Sequence, residues 1–449
     1  MQLWNDVEST YRDRTPTSAD FHAETKRHVP SGVGSTYREW DPHPLYIDEA
    51  SGVHFTDVDG NDYLDFGLNN GAGMSGHAHP AITEAASRQL DEGTLYTKPS
   101  KLLHEAAAEL KKRWSGMDLV RFTNSGTEST MHAIRVARAH SGKDKVLKIE
   151  GSYHGCHDYV LLSKAAGREK LGHADRPTRV VESEGIPTKV AETVEIGPWN
   201  DLEAIESVLR EHINEIGTII VEPIVMNVGV TQPYGEFLQG LRELCDEYGL
   251  VYIFDEVKTG VKVAPGGAAE YYDVEPDLVT MAKSIGGNLP VGAFGGSEAV
   301  MREIENGAAH YGTYNANPLA LRAVITQLRD VLDDDAYRHV NDLGGRLVAG
   351  YEDIMADHGI TGHVEHVNSQ GIVSFTDETI RDYRDWIEHV DVEFHENYWF
   401  AMLNRGVMPH PHSASQQWTI SVQHTEEHVE EHLEAFETIA PRLADEQGE

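Results

Sequence analysis

Between residues 119 and 281, short apolar runs alternate with amphipathic stretches, and this alternation limits the fold of the 449-residue chain more than any other feature. The runs are 119-LVRF-122, 145-KVLKI-149, 217-GTIIVEPI-224, 250-LVYIF-254 and 278-LVTM-281. Each has the length of a strand. Most are apolar at consecutive positions, which suits a strand inside a sheet covered on both faces. The stretches between them, roughly 126–140, 201–213 and 234–248, read as helices. In the second, Leu202, Ile205, Val208, Leu209 and Ile213 fall on one face. Strands alternating with helices predict an α/β fold with a largely parallel sheet flanked by helices. In such sheets ligands gather at the carboxyl ends of the strands.

The flanks read differently. Residues 46–66 (YIDEASGVHFTDVDGNDYLDF) predict short strands joined by turns, with Asp59-Gly60-Asn61 at a hairpin tip. After about residue 320 the pattern turns helical, then gives strands near 371-GIVSFT-376 and 418-WTISVQH-424. These predict a second, smaller α/β unit that the N-terminal segment joins. The expected boundaries are 1–74 for the N-terminal segment, 75–325 for the large domain and 326–449 for the C-terminal small domain.

Three features meet at the predicted strand ends. The run 252-YIFDEVKTG-260 ends its strand on Asp255, and 278-LVTMAKSIGG-287 follows its strand with Lys283. In 121-RFTNSGTEST-130 a strand passes through Ser125, Gly126 and Thr127 into a helix, where free N–H groups and the helix dipole favour an anion. An amine, a carboxylate and an anion-binding turn are what pyridoxal phosphate (PLP) needs. The amine forms an imine with the aldehyde, the carboxylate pairs with the ring nitrogen, and the turn holds the phosphate. Each residue also has an ordinary reading. Ser125-x-x-Glu128 is a capping box, Asp255 a strand-end cap, and Lys283 a surface lysine. The uncharged, Gly-rich stretch after Lys283 predicts a desolvated amine near other positive groups, with a lowered pKa. Val257 is placed to pack on one ring face and Tyr153, in 150-EGSYHGCHDY-159, on the other, with His154 beside it.

Composition narrows the alternatives. The chain carries 37 basic and 74 acidic residues, a net charge of −37, which argues against nucleic acid and anionic membranes as partners. With 14 lysines against 23 arginines, this balance predicts a salt-adapted, halophilic source. There is no run of about 18 apolar residues, so no membrane span is expected. Two cysteines, Cys156 and Cys245, and a start without a signal-peptide pattern point to the cytoplasm. His154, Cys156 and His157 are close in sequence, but their spacing matches no standard zinc pattern.

The segments FTNSGTE, YHG, VEP, FDEV and the lysine before IGG resemble class III (subgroup II) aminotransferases of PLP fold type I. The resemblance covers about residues 29–440. It is closest to the branch containing glutamate-1-semialdehyde 2,1-aminomutase and its aminotransferase relatives. It implies a large domain with a mostly parallel seven-stranded sheet. By resemblance, Lys283 carries the internal aldimine, Asp255 the pyridinium contact, Ser125, Gly126 and Thr127 the phosphate cup, and Tyr153 the stacking ring. Glu222 and Asn227 match polar residues near the cofactor. Thr313 matches a threonine that reaches the phosphate of a partner subunit, implying a homodimer. Arg38 matches an arginine that binds a substrate carboxylate, a task suited to a guanidinium fork, though a surface salt bridge is an equal reading of it.

The chain departs from the aminomutase pattern at Asn69-Asn70, where that pattern has Ser-Trp, and at Gln416, near where it has Glu. Other blocks look more like D-phenylglycine and β-amino acid aminotransferases. The expected function is therefore a PLP-dependent aminotransferase acting between an amino acid and a 2-oxo acid. The alternatives are an aminomutase or racemase with the same cofactor, and a non-catalytic subunit of the same fold, which the presence of both Lys283 and Asp255 opposes.

Overall fold

The computed structural model describes residues 5–448. They form two compact units, one of residues 80–337 and 379–388, the other of 1–79, 338–378 and 389–449, of which 5–79 and 389–448 are described.

The first unit is built on seven strands: β1 (Leu119–Thr123), β2 (Lys145–Ile149), β3 (Val194–Gly197), β4 (Ile216–Val221), β5 (Val251–Asp255), β6 (Leu278–Met281) and β7 (Gly292–Gly296). Their order is β1-β7-β6-β5-β4-β2-β3. Only β7 runs antiparallel, to both of its neighbours. The apolar runs explain the sheet. Leu147, Ile149, Ile219, Val221, Tyr252 and Phe254 pack on one face with Ile205, Val208 and Leu209 of helix α2 (Leu202–Glu211) and Leu238 and Leu241 of α3 (Phe237–Tyr248). The residues between them, Val146, Ile220, Val251 and Ile253, pack on the other face with Ala133, Ile134, Val136 and Ala137 of α1 (Gly126–Ser141). Successive side chains point to opposite faces, and both faces are dry. Each large aliphatic side chain so buried contributes about 1.5–3 kcal/mol.

Helix ends follow their caps. Asp201 Oδ1 accepts from the Ala204 N–H at 2.9 Å and starts α2. That helix stops at Glu211, so Ile213, expected on its apolar face, lies beyond it and is 47% exposed. Strand β7 has no apolar alternation and was not expected. Its glycines are needed where the backbone runs close to other chain: a Cβ at Gly292 would sit 2.5 Å from the Ser125 carbonyl oxygen.

The second unit holds the expected N-terminal strands, Ile47–Ser51, His54–Asp57 and Asp62–Asp65, paired antiparallel in succession. Asp57 Oδ1 accepts from the N–H groups of Asp59 and Asn61 at 3.0 and 2.8 Å, which sets the turn at 59–61. Val407–Met408 adds a fourth, parallel strand. A separate sheet contains His363–Val367, Gln370–Ser374 and Trp418–Thr419. The strand expected over 418–424 is cut to two residues. Past it the Ser421 N–H bonds the His424 ring at 3.0 Å and the His424 N–H bonds the Ser421 carbonyl at 3.1 Å, so the chain turns instead. Among the described residues no helix is long and apolar enough to cross a membrane.

Candidate active site

The polar residues singled out in the sequence lie where the large sheet presents its strand ends. Asp255 is the last residue of β5 and is 3% exposed. Its Oδ1 accepts from the Val257 N–H and from the Thr280 hydroxyl, each at 3.1 Å. Its Oδ2 lies 2.8 Å from His154 Nδ1. Thr280 is within reach because it is the register partner of Asp255 across β5 and β6. Val257 is half-buried.

Glu222 directly follows β4 and is also buried. Its Oε1 accepts from the Tyr153 N–H at 2.8 Å, and the Asn227 amide donates to both carboxylate oxygens at 3.2 and 3.0 Å. Burial pushes its pKa up; His154 opposes this and Asp255 adds to it. One carboxylate thus ties the Tyr153 backbone and the Asn227 side chain to the end of β4.

Lys283 follows β6 by two residues, half-buried and with φ of +51°. Its pKa is lowered by burial, while Asp255 and Glu222 pull it back up. The lowered pKa was expected, and the expected positive neighbours are there, beside the two carboxylates. The positive neighbours, Lys258 and Lys262, are themselves buried and pushed well down by burial and by the charge of Lys283.

The turn into α1 completes the group. Ser125 caps the helix, its Oγ accepting from the Glu128 N–H at 3.2 Å. Glu128 does not close the box on Ser125. Its Oε2 instead accepts from the Asn124 N–H at 2.9 Å and side-chain amide at 3.0 Å. Ser125, Gly126 and Thr127 are half-buried at the positive end of a 16-residue helix. A Cβ on Gly126 would stand 2.9 Å from both Val257 methyl groups. Thr127 Oγ1 accepts from the Cys156 N–H at 3.4 Å.

Tyr153 is half-buried, with the Lys164 ammonium 5.8 Å from its ring centroid. His154 is 1% exposed. His157 Nε2 lies 3.2 Å from the Thr130 hydroxyl, and burial pushes its pKa down to about 3. The His154-Gly-Cys-His157 run therefore divides among separate tasks. Among the described residues no group of three or more His, Cys, Asp or Glu side chains could hold a metal ion.

Two expected site residues are exposed and share none of these hydrogen bonds. Thr313 sits on an exposed turn between Tyr311 and Tyr314, which are 87% and 62% exposed. Arg38 belongs to the second unit, where it is exposed on a single helical turn. Its Nε donates to the Tyr37 hydroxyl at 3.1 Å and its guanidinium lies 5.4 Å from that ring. Sequence reasoning missed Thr280 and Ser152. Thr280 was open to discovery, since pairing the two strand ends places it beside Asp255. Ser152 carried no signal beyond its nearness to Tyr153.

Residues 36–439 match the family described as Aminotransferase class-III. The chain belongs to that family. Its fold is PLP fold type I, and it is an enzyme of the transaminase class, in which amino transfer between molecules and amino transfer within one molecule both occur. It is 38% identical over 435 residues to the glutamate-1-semialdehyde 2,1-aminomutase of Methanopyrus kandleri, covering 96% of this chain and 99% of that protein. An omega-transaminase from Sphaerobacter thermophilus superposes with a TM-score of 0.90 at 32% identity, covering 95% of this chain and 98% of that one. A glutamate-1-semialdehyde-aminomutase variant from Pseudomonas aeruginosa, in complex with PMP, superposes with a TM-score of 0.89 at 26% identity, covering 97% of each chain.

Proposed function

We propose that this chain binds PLP and shifts an amino group within one substrate, as a glutamate-1-semialdehyde 2,1-aminomutase. The observation that carries the cofactor is the grouping of Lys283, Asp255 and the Ser125 turn on one edge of the sheet. The donor set fits PLP: a partly desolvated amine, a buried carboxylate and an anion-accepting helix end, with no side chain at Gly126 to crowd Val257. Bound PLP supplies an aldehyde that captures amines and a ring that accepts the electron pair left by a broken C–H bond.

The residues have separate tasks. Lys283 would hold the cofactor through its amine, and that amine would be the group that moves a proton at the reacting carbon. Asp255 would face the ring nitrogen and keep its hydrogen in place. Ser125, Gly126 and Thr127 receive the phosphate. Tyr153 and Val257 would cover the two ring faces, the first held by Glu222 with Asn227 and the second by Asp255, which His154 backs. Thr313, exposed in one protomer, reaches the phosphate of a second copy in a homodimer. Arg38 forks the substrate carboxylate. The acidic excess suits a salt-rich cytoplasm.

The curated relatives favour the intramolecular outcome over the expected exchange between an amino acid and a 2-oxo acid. That exchange stays the second reading on one specific ground: Asn69, Asn70 and Gln416 replace the Ser-Trp and Glu of the aminomutase pattern. One assay separates the two. Holoenzyme given glutamate-1-semialdehyde without an acceptor should return its amino-shifted isomer over many turnovers. Release of a stable oxo acid from an amino donor in a single turnover, with no isomer, supports the exchange reading instead. Borohydride reduction and digestion should place the cofactor tag on the peptide containing Lys283. A tag elsewhere, or none, overturns both.

A further inference from the structure

Behind Asp255 three groups stand in line: His154, Ser152 and the Ile149 carbonyl at the end of β2. Ser152 and His154 are 0% and 1% exposed. Ser152 Oγ lies 2.6 Å from the Ile149 carbonyl oxygen. Two oxygens that close need a hydrogen between them, and a carbonyl has none to give. The single hydroxyl hydrogen of Ser152 is therefore committed to Ile149. His154 Nε2 lies 3.0 Å from the same Oγ. With its hydrogen used, that oxygen can only accept, so Nε2 bears a hydrogen. Nδ1 lies 2.8 Å from Asp255 Oδ2, a carboxylate oxygen that likewise only accepts, so Nδ1 bears one too.

We propose that Ser152 holds His154 as an imidazolium, so that Asp255 meets the cofactor ring nitrogen as half of a charge-neutral pair rather than as a bare carboxylate. Ser152 and His154 are positioning residues, acting through Asp255. The surroundings support this arrangement. Lys148, itself fully buried, donates to the Ser152 carbonyl at 2.9 Å and to the Leu162 carbonyl at 2.5 Å, which fixes the backbone that aims the hydroxyl. The titratable groups facing His154 are Asp255, Glu222 and His157.

The consequence for the ring nitrogen rests on the PLP reading; the protonation of His154 does not. Cancelling the Asp255 charge weakens its hold on the ring-nitrogen hydrogen. Removing the Ser152 hydroxyl lets Nε2 lose its hydrogen, restores a net negative charge and strengthens that hold.

The test is neutron diffraction from perdeuterated crystals of the full chain, with and without PLP. Deuterium on both His154 nitrogens is expected in the parent and in Ser152→Thr, and on Nδ1 alone in Ser152→Ala. In the holoenzyme, the ¹⁵N resonance of labelled PLP should titrate about one pH unit higher in Ser152→Ala than in the parent. A parent histidine with one deuterium overturns the proposal, and this holds even if Ser152→Ala fails to fold. Failure of PLP to attach at Lys283 would overturn the functional reading and leave the deuterium count in the cofactor-free protein intact.

Discussion

Asp255 shows what a single residue needs in order to act. Its carboxylate receives three hydrogen bonds, from the Val257 N–H, the Thr280 hydroxyl and His154, and these aim it before any ligand arrives. Loss of one such contact should cost on the order of 1 kcal/mol. Thr280→Val is accordingly expected to weaken PLP binding several-fold and leave turnover within about tenfold of the parent. Asp255→Ala is expected to remove most turnover. Cofactor titration by absorbance and steady-state rates check both; equal effects would mean that Thr280 does more than orient. Asp255 and Lys283 were legible because each interrupts an apolar run with a charge at a predicted strand end. Thr280 could be found only by pairing the two strand ends, and Ser152 not at all, because a small polar residue beside a strand end has many ordinary uses. The direction of the Lys283 pKa shift was legible from its uncharged surroundings. The opposing pull of Glu222 and Asp255 was not, since both come from other strands.

At the scale of elements, the start of α1 joins packing to anion binding. Gly126 lies against Val257, and an added methyl would come within 2.9 Å of both valine methyl groups. A contact that short forces Val257 to move, although Ala is otherwise the better helix former by about 1 kcal/mol. Gly126→Ala should therefore raise the PLP dissociation constant about tenfold, ~1.4 kcal/mol, while the cofactor-free protein melts within a few degrees of the parent. Paired titration and melting curves decide; an unchanged affinity would show that Val257 has room to yield. Five apolar runs predicted five strands; four end within one residue of those observed, and the run 217–224 passes the end of β4 by three residues. β3 was not among them, and β7 escaped notice because three of its five residues are glycine and leave no pattern to read. The region 418–424 misled because its alternating residues mimic a strand, while Ser421 and His424 bond each other locally.

For the whole molecule, buried histidines set the acid limit. His410 and His432 are 1% and 0% exposed, and burial pushes their pKa values down to about 4 and about 3. An unfolded imidazole titrates near 6.5. Below that pH the unfolded chain binds protons that the folded chain refuses, so stability is full above about 6.5 and falls as the pH drops toward the folded values. Each site contributes a slope of about 1.4 kcal/mol per pH unit over that window. Buried Glu222 and Glu256, whose pKa values are raised by burial, act in the opposite sense. The comparison to make is therefore parent against His432→Gln. Chemical denaturation from pH 7 to 5 should show the parent losing about 2 kcal/mol more than the variant, and parallel curves would count against this account. The fold class was legible from strand and helix rhythm alone. This acid limit was not, because 25 histidines in a sequence do not say which are buried.

The glycine-rich strand β7 also bears on how such an enzyme changes over generations. Its backbone at Gly292 is pressed so near the Ser125 carbonyl that this position has no side chain to exchange and no room for one. Selection for a new substrate finds nothing to vary there. A randomised library that leaves position 292 untouched loses little by doing so.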